Sequence, residues 1–484
     1  DTSIETVDLA RILIDDFTSA TVSSQPKYKT TLSIIDLAEF KGVIPKALTA
    51  FGDDLSKKLK SRNYKEVAKA RSSSREFASS SHIDQIDLVN FCRNINSKES
   101  NALADEVQKC VKYNKIYNIT NAYGMSVYFP YSSLKSVNSM AKIYDNLDID
   151  DSYADSVKSF AALESSGQIV SSQMSGNTSL FDVLLSGGSS SAPASSYTGS
   201  SQSSMLESIL MSALKPASSS VTGASSYSGS ASGYGSLPDY TSLLGGSGIV
   251  DSSSVQDMAS LLGMRDIISS EDLEISRVNG RDVISLSEEQ WSDMKNVALN
   301  VFVDDGEGFI DLGLDNIASY DEDGNLIVDY DGDWIALNGY FAAFYISQDD
   351  YDEESGYYRT QGYIPAELNG EYVNIIVEFS NDSPAGEILG AQQIYEEGES
   401  VNITNGKGLI DIEEGDRIDF LCDYYAYDGS FIDSYHLNNS SLTVRSDGLR
   451  LETLTMDNEN AYYSYRLTDY YNSNYWTPVR GLGR

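Results

Sequence analysis

The chain has 484 residues, three cysteines, two histidines and a formal net charge of −38. That length suits at least two cores. The cysteine count rules out a disulfide scaffold, and the surplus of carboxylates disfavours nucleic acid and anionic membrane surfaces as partners. The charge is uneven: residues 281–484 hold 10 Lys and Arg against 41 Asp and Glu. Water, cations and basic peptides are the natural neighbours of such a region. With no apolar run near eighteen residues, no membrane-spanning helix is expected.

Residues 1–165 read as α/β material. Leu9, Ile12, Leu13 and Phe17 share one face of a helix that begins close to Asp1. This looks like the middle of a domain, so Asp1 reads as an internal start, from processing or truncation. Leu32 to Ile35 form an apolar strand signal, followed by Asp36 placed to cap a helix carrying Leu48 and Phe51. Leu88, Phe91, Cys92 and Ile95 fall at helical spacing, as do Leu103, Val107, Cys110 and Val111. GMSVYFPY then reads as a strand stopped at Pro130.

Residues 166–280 turn to Ser, Gly, Ala and Tyr, a composition that buries too little apolar surface to offset its ordering entropy. A flexible linker is expected, and protease should cut first within 166–256. Three apolar islands interrupt it, SLFDVLL, MLESILMSAL and VQDMASLLGM. From 281 to 484 the signal is β. Val297, Leu299, Val301 and Val303 alternate, and DG, NG or GD turns recur, as in LNGEY and YDGSF. An acidic, Tyr-rich, sandwich-like region is expected. GEGFID at 306–311 and GKGLID at 406–411 hint at two related units.

Two Cys/His pairs invite a test for a peptidase site. His82 and Cys92 on one helix would stand roughly 15 Å apart, whereas a nucleophile and its base must lie within about 3 Å. Cys92 and Cys110 sit on apolar faces, where a thiol behaves as a small hydrophobe. Cys422 and His436 would face each other if FLCDYYAYDGSFIDSYH is a hairpin, but carboxylates around Cys422 suppress its thiolate. No catalytic residue is therefore assigned. Zinc and phosphate-binding motifs are absent from the sequence. In DEDGNLIVDYDGD, Asp321, Asp323, Asn325, Asp329, Asp331 and Asp333 carry the hard oxygens that calcium prefers, yet Leu326 stands where an EF-hand needs Gly. Calcium is the one cofactor the sequence suggests, and it requires none.

TLSIIDLAEF, the REF element Arg75-Glu76-Phe77, DQIDLVNF at 84–91 and NAYGMSVYFPY together resemble the clostripain family of cysteine endopeptidases. SLSEEQW, DDGEGFIDLG, YDGDWIALNG, PAELNGEYVNIIVEF and GDRIDFLCDYY are similar to the β-rich tails of large bacterial members. The resemblance implies a caspase-like fold for 1–165, secretion or surface display by a bacterium, and cleavage of protein or peptide substrates after Arg or Lys. The family's catalytic histidine, in an HG turn, and cysteine, after a DA strand end, have no counterpart in this sequence. They are expected upstream of Asp1, and the chain alone is expected to be inactive. Its first partner would be the missing N-terminal peptidase segment. The competing expectation is a non-catalytic surface or binding protein whose acidic β region recognises a cationic partner. An enzyme of another kind, using Cys422 and His436, is the third.

Overall fold

The computed structural model describes residues 4–24, 29–60, 64–78, 83–131, 137–145, 150–174, 268–269, 271–352, 356–397, 402–427, 431–437, 441–456 and 460–482. Most of the Ser-rich segment, with its three apolar islands, lies outside them. The chain divides into two units, one holding residues up to Val170 and the other residues from Asp266 onward. No helix among the described residues is long and apolar enough to cross a membrane.

The first unit is mainly helical. Its elements are α1 (Thr6–Ser24), β1 (Thr30–Ile35), α2 (Leu37–Lys60), α3 (Tyr64–Ser72), β2 (Glu76–Phe77), β3 (Gln85–Asp87), α4 (Leu88–Ile95), α5 (Lys98–Cys110), β4 (Val111–Tyr117), β5 (Ser126–Tyr128), α6 (Val137–Asp145) and α7 (Ser152–Met174). Local chemistry fixes the helix starts. Asp36 Oδ1 accepts the Ala38 and Glu39 amides at the head of α2, as its position in the sequence predicts. Ser97 and Ser100 close a reciprocal capping box on α5. Helix α5 stops at Cys110, and Val111, expected on its apolar face, instead opens β4 with extended backbone. Val111, Tyr113, Ile116 and Tyr117, β-branched or aromatic, favour the strand that follows over a further helical turn.

The apolar positions of α2, α4, α5 and α7 meet in one core. Phe51, Phe91, Phe129 and Phe160 are fully buried there, with Phe91 and Phe129 rings 4.8 Å apart. Two small sheets complete the unit, β1–β4 and β2–β3–β5. Every described strand pair in it is antiparallel, so the central parallel sheet of a caspase-like domain is not among the described residues.

The second unit is β-rich. Its large sheet runs through the strands Asn402–Ile410, Glu387–Glu397, Glu371–Ser380, Tyr357–Leu368, Phe344–Asp352, Phe309–Asp315, Met294–Asp304 and Ala461–Asp469. Two smaller sheets, one around Arg281–Ile284 and one around Asp333–Leu337, contribute Ile284, Leu326, Trp334 and Leu337 to the same core. The alternation at Val297, Leu299, Val301 and Val303 points these four side chains into that core. Ile268 and Leu273 are buried in it as well, so the β unit begins before residue 281. LNGEY is a tight hairpin turn in which Asn369 and Gly370 take φ of 55° and 90°, with Leu368 paired to Glu371. The two GxG stretches occupy different places: Gly306 and Gly308 precede a central strand, while Gly406 and Gly408 lie within the strand Asn402–Ile410.

Strand Arg417–Tyr425 joins the large sheet at a fork. It pairs with Tyr357–Leu368 through Ile418 to Phe420, and with Phe309–Asp315 through Asp423 to Tyr425. Strand Phe344–Asp352 also contacts both of these strands. Gly313 makes the fork possible. It has a φ of 102°, and a Cβ there would stand 2.0 Å from the Phe344 carbonyl oxygen.

Candidate functional site

The cysteines are free and buried. Cys92 lies inside α4 and Cys110 in the last turn of α5, both fully buried, and burial raises both thiol pKa values. Such thiols are inert as nucleophiles at neutral pH. His82 lies outside the described residues.

Cys422 and His436 do fall on one antiparallel hairpin, but the register separates them. Leu421 stands opposite His436, and Cys422 opposite Tyr435. Successive side chains alternate between faces, so Cys422 and His436 point to opposite sides of the sheet. His436 is exposed, with Nε2 3.4 Å from Glu367 Oε1. Burial raises the Cys422 thiol, and the Asp311 and Asp423 carboxylates add to the shift. The pair forms no dyad.

In the acidic turn, the carboxylates bind their own backbone. Asp321 Oδ1 accepts the Asp323 and Asn325 amides at 3.0 and 2.9 Å, and its Oδ2 accepts Asn325 Nδ2 at 2.9 Å. The hydrogen bonds from Asn325 lower the Asp321 pKa. Asp331 accepts the Asp333 amide, and Asp333 accepts the Thr455 hydroxyl. These are the contacts of an Asp/Asn turn. Among the described residues no three His, Cys, Asp or Glu side chains converge as a metal site.

The TLSII strand, the REF element, DQIDLVNF and the NAYG loop come together in the first unit. Asp87 caps α4 by accepting the Asn90 amide at 2.9 Å, and its other oxygen accepts the Tyr123 amide at 2.7 Å. Asn90 Oδ1 accepts the Arg75 amide, and Arg75 Nε donates to the Thr120 carbonyl at 2.8 Å. Ser33 Oγ donates to the Gly124 carbonyl at 2.6 Å. The NAYG loop, with Asn121 and Gly124 at positive φ, is thus tied to β1, to the REF element and to the head of α4. Beside it, Arg71 is 1% exposed and donates to Phe129 O, Glu76 Oε2 and Asp84 Oδ1 at 2.8, 3.0 and 2.9 Å. Asp84, equally buried, holds a left-handed φ of 53°, and accepts the Tyr131 amide.

A second cluster, which sequence reasoning missed, lies at the fork of the β unit. Asp311 and Asp423 face each other directly across the strands. Asp311 accepts Asn300 Nδ2 and the Gly313 amide at 2.9 Å each, and the Tyr345 hydroxyl at 3.3 Å. Burial raises the Asp311 pKa, and burial with the facing Asp311 charge takes Asp423 up to about 7. No signal within either strand announces this pairing, because it depends on the register between segments more than a hundred residues apart.

No family model, curated protein or solved structure matches the chain.

Proposed function

We propose that the chain is the C-terminal part of a secreted, clostripain-like cysteine endopeptidase that cleaves after Arg or Lys, with its catalytic cysteine and histidine upstream of Asp1. The observation that supports this reading is the convergence of TLSII, REF, DQIDLVNF and NAYGMSVYF on one half-buried network around Asp87, Arg75 and the 120–124 loop. Four segments that resemble one family in order along the chain are thereby also one structural unit. The role of this unit is to position. In such an enzyme the upstream histidine takes the thiol proton, the thiolate attacks the scissile carbonyl, and water releases the acyl-enzyme. The buried thiols of this chain take no part.

The test is to determine the coding sequence ahead of Asp1 and express it together with the chain. An in-frame HG turn and DAC-type segment should give turnover of Arg and Lys amide substrates, lost when that upstream cysteine becomes Ala. A signal peptide joined directly to Asp1 replaces this reading with a non-catalytic surface protein whose acidic β unit binds a cationic partner.

A further inference from the structure

Cations are scarce in the β unit: residues 281–484 hold 10 Lys and Arg against 41 Asp and Glu. Two of those ten, Arg281 and Arg480, nevertheless meet Arg277 around one cleft of about 260 Å³. Three separate segments build it. Strands Ser276–Val278 and Arg281–Ile284 form a hairpin through Asn279 and Gly280, both at positive φ, with Arg277 opposite Asp282. The Val328 amide donates to the Asp282 carbonyl, which brings Asp329 and Tyr330 to the cleft. Strand Arg480–Gly481 pairs with Ala461–Asp469 and places Arg480 opposite Tyr463.

Two of the arginines are committed and one is free. Asp282 is held by two guanidinium groups, its Oδ1 3.5 Å from Arg277 Nη1 and its Oδ2 bonded to Arg480 Nη2. Arg480 also donates to the Tyr463 hydroxyl, and Arg277 Nη2 donates to the Gly280 carbonyl at 3.1 Å. The Arg281 guanidinium is exposed and, among the described residues, makes no hydrogen bond or ion pair; its charge reaches Asp321 only at longer range. Asp329, exposed in the lining of the cleft, is likewise unpaired among the described residues. Tyr330 supplies a half-buried wall, its ring T-shaped against Tyr463 at 5.5 Å and its hydroxyl donating to the Asp333 carbonyl at 2.6 Å.

Charge decides what such a cleft takes. Three arginines against Asp282 and Asp329 leave a surplus of one positive charge. A single carboxylate neutralises it, and a guanidinium fork matches a planar carboxylate with two parallel hydrogen bonds. A phosphate, with nearly two negative charges, overshoots. The field of the surrounding unit also repels any purely anionic ligand. A ligand carrying a cation beside its carboxylate escapes that repulsion and gives Asp329 a partner.

We propose that this cleft captures the C-terminal carboxylate of a peptide whose last residue is Lys or Arg. Arg281 forks the carboxylate, Asp329 pairs with the basic head, and the aliphatic stem lies on Tyr330. The site stands whether or not the chain is part of a peptidase, because it needs only residues of the β unit.

Titration calorimetry on the full chain, in about 0.15 M salt where the Debye length is about 8 Å, tests this with four ligands: acetyl-Ala-Ala-Lys as the free acid, the same peptide as its C-terminal amide, acetyl-Ala-Ala-Ala acid, and glucuronate. The Lys acid should bind at least about tenfold more tightly than its amide, as expected for one charge-assisted fork, and more tightly than the Ala acid or glucuronate. Arg281→Gln should remove the preference for acid over amide. Asp329→Asn should weaken the Lys acid by about threefold, as suits an exposed pair, while the Ala acid binds no more weakly. Both side chains are exposed and unpaired, so the fold should survive, and the comparison of acid with amide on the unaltered chain decides in any case. Equal binding of acid and amide would show attraction to the acidic surface alone and overturn the proposal, as would absence of binding at millimolar peptide. An acid preference unchanged in Arg281→Gln also overturns it, and so does glucuronate binding as tightly as the peptide, which would assign the cleft to acidic sugars.

Discussion

Asp311 and Asp423 stand opposite one another on adjacent antiparallel strands, and burial raises the pKa of both. Asp423 titrates at about 7 in the folded chain, against about 3.9 when unfolded. Between these values the folded state holds a proton that the unfolded state has released. Stability of the β unit therefore falls as pH rises from about 4 to about 7 and levels off above. Asp423→Asn should make that slope shallower, burial of Asp311 and of Asp315 (pushed up to about 6) keeping part of it, and should raise Tm at pH 8 by about 2–4 °C, the equivalent of about 1 kcal/mol for a unit of this size. Thermal scans from pH 4.5 to 8.5 check it, and a wild-type Tm that rises across this window would contradict the account.

Arg71→Ala should destabilise the first unit by about 3–5 kcal/mol, because it takes the guanidinium away from Asp84, which is 1% exposed. Arg71→Met combined with Asp84→Asn removes both charges and should recover much of that loss. Denaturant unfolding of the two variants separates them. Equal losses would mean that the Arg71 hydrogen bond to Phe129, rather than the charge pair, carries the effect.

At the fork, Gly313→Ala places a methyl group against the Phe344 carbonyl in a backbone conformation that L-residues rarely adopt. A loss of at least about 2 kcal/mol is expected, while Gly324→Ala, in open space though also at positive φ, should cost less. Chemical denaturation ranks the pair, and the reverse order would show that close approach at the fork is not limiting.

The purified chain should not hydrolyse Arg or Lys esters, since the register puts Cys422 and His436 on opposite faces. Turnover that disappears in Cys422→Ala would restore the pair as a site and overturn the proposed function.

Sequence patterns read the local structure well where one period dominates. The Asp36 cap, the helix through Leu88, Phe91 and Cys92, and the alternation from Val297 to Val303 all depend on neighbours within a turn or two. Val111 fits the helical spacing of α5 yet is the extended residue that opens β4, because the end of one element and the start of the next share it. The Cys422 and His436 hairpin was legible, but its register was not, and one residue of register decides which face a side chain takes. The carboxyl pair and the buried Arg71 hub were illegible for a similar reason. Each is assembled from segments brought together by folding, and isolated Asp or Arg residues look the same in a solvated turn as in a core.

The three thiols also divide between the units, with Cys92 and Cys110 in the first and Cys422 in the second. None can be alkylated without opening its surroundings, so each is a native clock for its own unit. Pulsed labelling followed by peptide mass analysis would time the opening of the helical and β units in one unmodified sample, with no engineered probe to perturb either.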